Sequence, residues 1–175
     1  MDDVIIRDAK VEDIEEMAIV RRYVWETTYR GIYEDSVIDQ FDYEHVKNSF
    51  REKMMLSDTI FKVATVNNKI VGYVCFGKNA TEERYKDYDY LIHYIHISKE
   101  YQGKGLGTKF FKTIMDYAID NNVSKFYVIC NKYNYSAHKY YEKMGGTKDY
   151  ESDDTLKKQD QHVIYVYAVG GVQND

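Results

Sequence analysis

The spacing of hydrophobic positions changes several times along the chain, and each change marks an element. Val4-Ile5-Ile6-Arg7 reads as a first strand, ended by Asp8-Ala9-Lys10. Val11, Ile14, Met17, Ala18 and Val20 then recur at helical spacing, with Asp8 or Asp13 placed to cap the helix. Residues 25–33 are aromatic and broken at Gly31, and a second helical pattern over roughly 43–55 carries Val46, Phe50 and Met54 at spacings of four. The period then falls to that of strands. Residues 60–66 and 69–76 flank Asn67-Asn68 in the pattern of a β-hairpin. A polar connection over 79–89 leads to a strong strand at 90–97. Residues 107–121 form an amphipathic helix with Phe110, Phe111, Ile114, Met115, Ala118 and Ile119 on one face. A strand at 125–130, a helix at 136–144 and a closing strand at 162–169 complete the order. The expected fold is α/β: a mixed sheet, antiparallel at first and crossing over through helices later. No repeat, low-complexity segment or linker divides the chain, so one domain over 1–175 is expected.

Composition narrows the class. With 175 residues, 44% hydrophobic and 30% charged, the chain has the balance of a soluble globular protein able to bury a core. No apolar run approaches the roughly 20 residues of a membrane span. The start, MDDVIIRDAK, lacks the basic-then-apolar order of a secretory signal, so a cytoplasmic location is the expectation. A net charge of −5 argues against a broad nucleic-acid surface and mildly favours cationic ligands. Cys75 and Cys130 lie in apolar, strand-like stretches and read as buried small hydrophobes, and no spacing suggests a disulfide or a metal site. The 19 tyrosines and the lack of proline carry no functional meaning by themselves.

The most informative stretch is Tyr101-Gln102-Gly103-Lys104-Gly105-Leu106-Gly107-Thr108, between a strong strand and an amphipathic helix. Glycines there let the backbone turn tightly and bring N–H groups close to a ligand. With a helix N-terminus behind them, those groups form an anion site suited to pyrophosphate. A P-loop is excluded, because Lys104 comes too early and is followed by glycine. A dinucleotide fingerprint is also excluded, because the third glycine arrives one residue early.

Gln102-Gly103-Lys104-Gly105-Leu106-Gly107 resembles the Q/R-x-x-G-x-G/A signature of the GNAT acetyltransferase superfamily. Residues 94–101 are similar to that family's fourth strand and its approach to the loop. Asn134-Tyr135-Ser136-Ala137-His138-Lys139-Tyr140-Tyr141-Glu142-Lys143-Met144-Gly145-Gly146 resembles its N-x-x-A-x-x-F-Y-E-K-x-G-F segment. Tyr140 and Gly146 stand where phenylalanine is usual, and Lys99 where proline is common. Two acids found in parts of the family are missing, with Leu91 early in the fourth strand and Ile129 in the fifth. The second absence lowers the expectation of a ribosomal-protein N-terminal acetyltransferase and leaves the base unassigned.

The resemblance implies a mostly antiparallel twisted sheet flanked by helices and splayed between its fourth and fifth strands. It implies acetyl-CoA as the cofactor and direct attack of an amine on the thioester. Gln102, Gly103, Lys104, Gly105, Leu106, Gly107 and Thr108 would frame the pyrophosphate, and Asn134 would meet the pantetheine arm or cap its helix. Ile95 and Ile97 would line the cofactor on the fourth strand, with the Ile97 N–H facing the developing oxyanion. Tyr141 matches the acid that protonates the departing thiolate, with core packing as its rival role. An attacking amine with a pKa near 10 must lose a proton, and His93 and His96 are the candidates, with Glu26 weaker. Three positions apart on a strand, the two histidines are expected on opposite faces unless a bulge intervenes.

Trp25, Tyr29 and Tyr33, with Glu26, lie in the segment that borders the acceptor in this family. Their aromatic faces suit an alkylammonium group. Acidic clusters at Glu82-Glu83, 87–89 and 149–154 read as solvated loops, or alternatively as a funnel for a polyamine. The layout resembles polyamine N-acetyltransferases of the superfamily, so a small polyamine-type acceptor is expected, with no nucleic-acid or membrane partner and a homodimer as one available assembly. A peptide N-acetyltransferase, a non-catalytic CoA-binding module and a nucleotide-binding module are the alternatives.

Overall fold

In a computed structural model, residues 4–78 and 83–170 are described; the start of the polar connection, with Glu82, lies outside them. Seven strands form one sheet in the order β1-β2-β3-β4-β5-β7-β6. β1 (Ile5–Asp8), β2 (Thr59–Val66), β3 (Lys69–Lys78) and β4 (Tyr90–Ile97) pair antiparallel in succession. The β2–β3 connection is a tight hairpin. Asn67 and Asn68 have φ of 49° and 64°, a left-handed conformation that asparagine tolerates and that primed turns require.

β5 (Lys125–Asn131) runs parallel to β4 but pairs with it only from Tyr90 to Ile92, opposite Phe126 to Val128. Beyond that point the two strands part. β7 (His162–Ala168) pairs antiparallel with β5, and β6 (Thr147–Glu151) forms the far edge on β7. β6 corrects the sequence reading, which placed 149–154 in a solvated loop. Thr147-Lys148-Asp149-Tyr150-Glu151 is almost wholly polar, so no alternation marked it, and the ladder to β7 alone makes it a strand.

Helices cover both faces. α1 (Ile14–Val24) and α3 (Tyr43–Met54) bury Ile14, Met17, Ala18, Val46 and Phe50 against Phe61, Val63, Tyr73 and Cys75. α4 (Leu106–Asp120) buries Phe110, Phe111, Ile114 and Ala118 on the other face, against Val74, Phe76, Ile92, Phe126 and Val128. Each Val, Ile, Met or Phe side chain so removed from water contributes about 1.5–3 kcal/mol. α2 (Asp35–Asp39) and α5 (Tyr135–Lys143) complete the set.

Of the two acids expected to cap α1, Asp13 stands at its N-cap position but makes no side-chain cap bond there. A short turn at Val11–Asp13 precedes the helix, and the Asp13 carboxylate reaches back to the Lys10 N–H at 2.7 Å and to Arg7. Asp8 pairs instead with Lys62. At its C-terminal end α1 runs on into a π turn, Trp25–Tyr29, which the chain leaves at Gly31 with φ of +85°.

Candidate active site

The parting of β4 from β5 opens a cavity of about 540 Å³. Its walls come from the end of α1 and the π turn, from β4 and β5, from the glycine turn before α4, and from α5. Two motifs far apart in sequence are thereby brought to one space.

The glycine turn is built as an open cradle. Gly103 and Gly105 have φ of +71° and +85°, and a Cβ on either would meet no atom of the described residues within 4 Å. Gly105 is the N-cap of α4, so Leu106, Gly107 and Thr108 have N–H groups without helical acceptors. Among the described residues the turn gives none of its N–H groups from 103 to 108 to another element, and the first to be used is Lys109, to Gly105 at 3.1 Å. Gln102 braces the turn by donating from its side chain to the Ile97 carbonyl at 2.9 Å. Leu106 buries its side chain in the core beneath α4, which fixes the turn to the sheet. The Lys104 ammonium sits over the Tyr101 ring at 5.4 Å and does not line the cavity.

β4 presents an unpaired edge to the same space. Ser98 donates to Val71 of β3 at 2.9 Å, so strand alternation turns the N–H groups of Ile97 and Ile95 away from β3 and into the gap. Across the gap, Asn134 accepts from the Ala137 N–H at 3.2 Å and so caps α5, while also lining the cavity. The capping role is thus realised in full.

Tyr141 is 5% exposed and lines the cavity, and its hydroxyl has no hydrogen-bond partner among the described residues. Burial pushes its pKa well above the ordinary phenol value, with Cys130 and neighbouring tyrosines adding to the shift. The adjacent Tyr140 differs: its hydroxyl donates to the Gly107 carbonyl at 2.8 Å, and its ring lies against Gly107, where a Cβ would approach it to 2.8 Å. That contact is why position 107 holds glycine although its φ is ordinary.

The histidines overturn the expectation of opposite faces. The β3–β4 register slips between Cys75↔Tyr94 and Phe76↔Ile92, so His93 is a bulged residue. His93 and His96 therefore both turn toward α1 and α3, and both line the cavity. The His93 Nε2 meets the Lys78 carbonyl at 2.8 Å, and the His96 Nδ1 meets the Tyr73 hydroxyl at 2.6 Å. Burial first, then Lys53, lowers the His93 pKa to about 4; burial first, then Arg21, lowers that of His96 to about 3.

Of the aromatic segment, Trp25, Tyr29 and Tyr33 line the cavity. Trp25 meets both tyrosines edge-on, and the two tyrosine rings lie 4.7 Å apart. Glu26 does not reach it. Its carboxylate is held by Arg30 at 2.6 Å and Arg22 at 2.8 Å, which also lower its pKa. The described acids of the acidic clusters also stay away: Asp149 accepts from Tyr85, Glu151 and Asp154 pair with Lys132, and none of the described acids of these clusters lines the cavity. Asp149, Glu151 and Asp154 are spent on internal contacts, so the alternative reading of that cluster as a funnel finds no support in their placement.

Sequence reasoning missed Arg21, which lines the cavity beside the aromatic segment. The signal was present. Continuing the α1 stripe from Met17 and Ala18 lands on Arg21 before Val24 and Trp25, so a cation interrupts an otherwise apolar face.

The profile of the acetyltransferase (GNAT) family matches residues 19–146. The chain belongs to that family. It is 23% identical over 125 residues to the uncharacterized N-acetyltransferase YuaI of Bacillus subtilis, covering 71% of this chain and 70% of that one. Its fold is similar to that of the PaiA N-acetyltransferase of Thermoplasma acidophilum in complex with coenzyme A, with a TM-score of 0.74 and 19% identity over 95% of this chain and 99% of that one. It is equally close to YncA of Salmonella typhimurium with its cofactor acetyl-CoA, with a TM-score of 0.74 and 17% identity over 96% and 95% of the two chains. The GNAT enzyme thus has the sheet expected for it, mostly antiparallel with one parallel, splaying pair. No helix among its described residues is long and apolar enough to cross a membrane.

Proposed function

We propose that this GNAT enzyme moves the acetyl group of acetyl-CoA to a small primary amine by direct attack. One observation carries the reading: the glycine turn with unclaimed N–H groups, the unpaired edge of β4 and the Tyr141 hydroxyl share a single cavity. When bound, acetyl-CoA supplies an acetyl group activated as a thioester. The N–H groups of 103–108 would hold its pyrophosphate, helped by the partial positive charge at the α4 N-terminus. The unpaired N–H of Ile97 is a fixed donor for a carbonyl oxygen gaining charge, a contact worth several kcal/mol. Tyr141 stays protonated across the neutral range and has no acceptor among the described residues, so its proton is available for a departing sulfur.

Direct attack is supported by the thiols. Burial raises Cys75 and Cys130 to about 12, which leaves almost no thiolate at neutral pH. His93 and His96 are neutral there but too weakly basic to strip an ammonium, so the amine enters as its free base or loses its proton to water. With Arg21 in the cavity and the described acids of the clusters outside it, a polycationic acceptor loses electrostatic support, and a small amine with few charges fits better. A peptide N-terminus is the second reading within the same chemistry.

The test is thiol release from acetyl-CoA with a panel of small amines, spermidine and peptides, after a thermal-shift screen of acetyl-CoA against ATP and NAD. Stabilisation by acetyl-CoA with turnover on small amines is expected. Stabilisation by ATP or NAD alone, or cofactor binding with no turnover on any acceptor, overturns the proposal.

A further inference from the structure

We infer that the amine acceptor carries a carboxylate, and that Arg21 binds it. This rests on the acetyltransferase reading and specifies the substrate class. Arg21 projects from α1 into the cavity wall with its guanidinium over the Tyr94 ring at 4.7 Å and near Phe50 and Trp25 at 5.7 and 5.8 Å. Its Nε and Nη1 are buried and make no hydrogen bond, and no acid among the described residues pairs with it. Arg22, one residue on, is held by Glu26, and Arg30 by Glu26, Asp35 and Asp39. Arg21 alone of these three is left over.

A guanidinium cannot escape burial by losing its proton, so a buried one needs a counter-charge. The planar fork favours a carboxylate, which it can grip through two parallel hydrogen bonds. The cofactor is not the source of that anion. Arg21 packs on Tyr94 at the α1 and α3 face of β4, whereas the glycine turn is anchored through Leu106 on the opposite face. What remains at the Arg21 end is the aromatic acceptor segment, with Trp25, Tyr29 and Tyr33 beside it. An amine that brings a carboxylate, as a free amino acid does, satisfies Arg21 and presents its nitrogen to the gap between β4 and β5. A polyamine would instead place more positive charge beside an unpaired cation.

The experiment compares matched pairs that differ only by the carboxylate: leucine with 3-methylbutylamine, phenylalanine with 2-phenylethylamine, and 4-aminobutyrate with propylamine. In the full chain the acids are expected to exceed their amines in kcat/KM, taken per free-base amine, by roughly ten- to a hundred-fold, the range of one charge-assisted contact. In Arg21→Gln that ratio is expected to collapse toward one, and in Arg21→Lys to be partly kept. Melting curves first establish that each variant folds; should Arg21→Gln unfold, Arg21→Lys carries the comparison. Amines used as well as their acids, or a ratio unmoved by the substitution, overturn the inference while leaving acetyl transfer intact. Loss of acetyl-CoA binding and of all turnover would count against the acetyltransferase reading instead. Calorimetry of each acid and its amine against the CoA-bound or free protein then decides the carboxylate question, because binding requires no chemistry; equal affinity for the two overturns it.

Discussion

The hydroxyl of Tyr73 lies 2.6 Å from Nδ1 of His96, with the tyrosine buried and the histidine half-buried near the Arg21 cation. Burial and that positive charge hold the imidazole at about 3, while His93, bulged out on the same face, is held at about 4. Both rings are neutral throughout the range in which an ordinary histidine titrates. We therefore expect kcat/KM to show no inflection near 6.5 and to climb with pH, following the free-base fraction of the acceptor amine. Initial rates from pH 5.5 to 9.5 with two amines of different pKa check this. A limb near 6.5 that stays put when the amine is changed would return the base role to a histidine.

The same depression has a consequence for stability. In the unfolded chain His96 gains a proton near pH 6.5, whereas in the folded protein it does so only near 3. Between those values the unfolded state binds more protons, so folding stability rises with pH and is lost on acidification from 6.5 toward 3. At pH 5 the loss through this one residue is about 2 kcal/mol at most. Urea melts of wild type and His96→Gln at pH 5 and pH 7.5 measure it, and the variant is expected to have a smaller difference between the two.

Most of the sheet was legible because its strands alternate or run apolar and its turns carry asparagine or glycine at positions that need them. The cofactor cradle was legible for the same reason, since Gly103 and Gly105 encode a backbone shape rather than a partner. Three features were not. The His93 bulge depends on how β3 and β4 register, and no single strand records that. β6 is polar and exists through its pairing with β7. Arg21 was passed over because a helix pattern read for its apolar members ends where a charge enters it, although the next apolar residues, Val24 and Trp25, show that the stripe continues.

Gly105 separates cradle from fold. Its φ of +85° disfavours any side chain, most of all a β-branched one, yet nothing among the described residues lies within 4 Å of the added Cβ. The space it would enter is the one proposed for pyrophosphate. Gly105→Val is expected to retain a folded protein, destabilised by about 1–2 kcal/mol, with affinity for acetyl-CoA reduced at least about a hundred-fold. Thermal melts and calorimetry with acetyl-CoA measure the two effects separately. Unchanged affinity would move the phosphate site elsewhere.

Tyr140 and Tyr141 are neighbours with opposite expectations, and removing one hydroxyl at a time tells them apart. The Tyr140 hydroxyl donates to the Gly107 carbonyl, so Tyr140→Phe should cost about 1 kcal/mol of stability and leave turnover per folded molecule near that of wild type. The Tyr141 hydroxyl has no partner among the described residues, so Tyr141→Phe should leave stability unchanged or slightly raised. If its proton goes to the departing thiolate, kcat should fall about a hundred-fold or more while the affinity for acetyl-CoA holds. The loss should shrink with an acyl thioester whose thiol is more acidic, because such a leaving group needs no proton. Full turnover in Tyr141→Phe with acetyl-CoA would reduce Tyr141 to a packing residue and leave the acid to water.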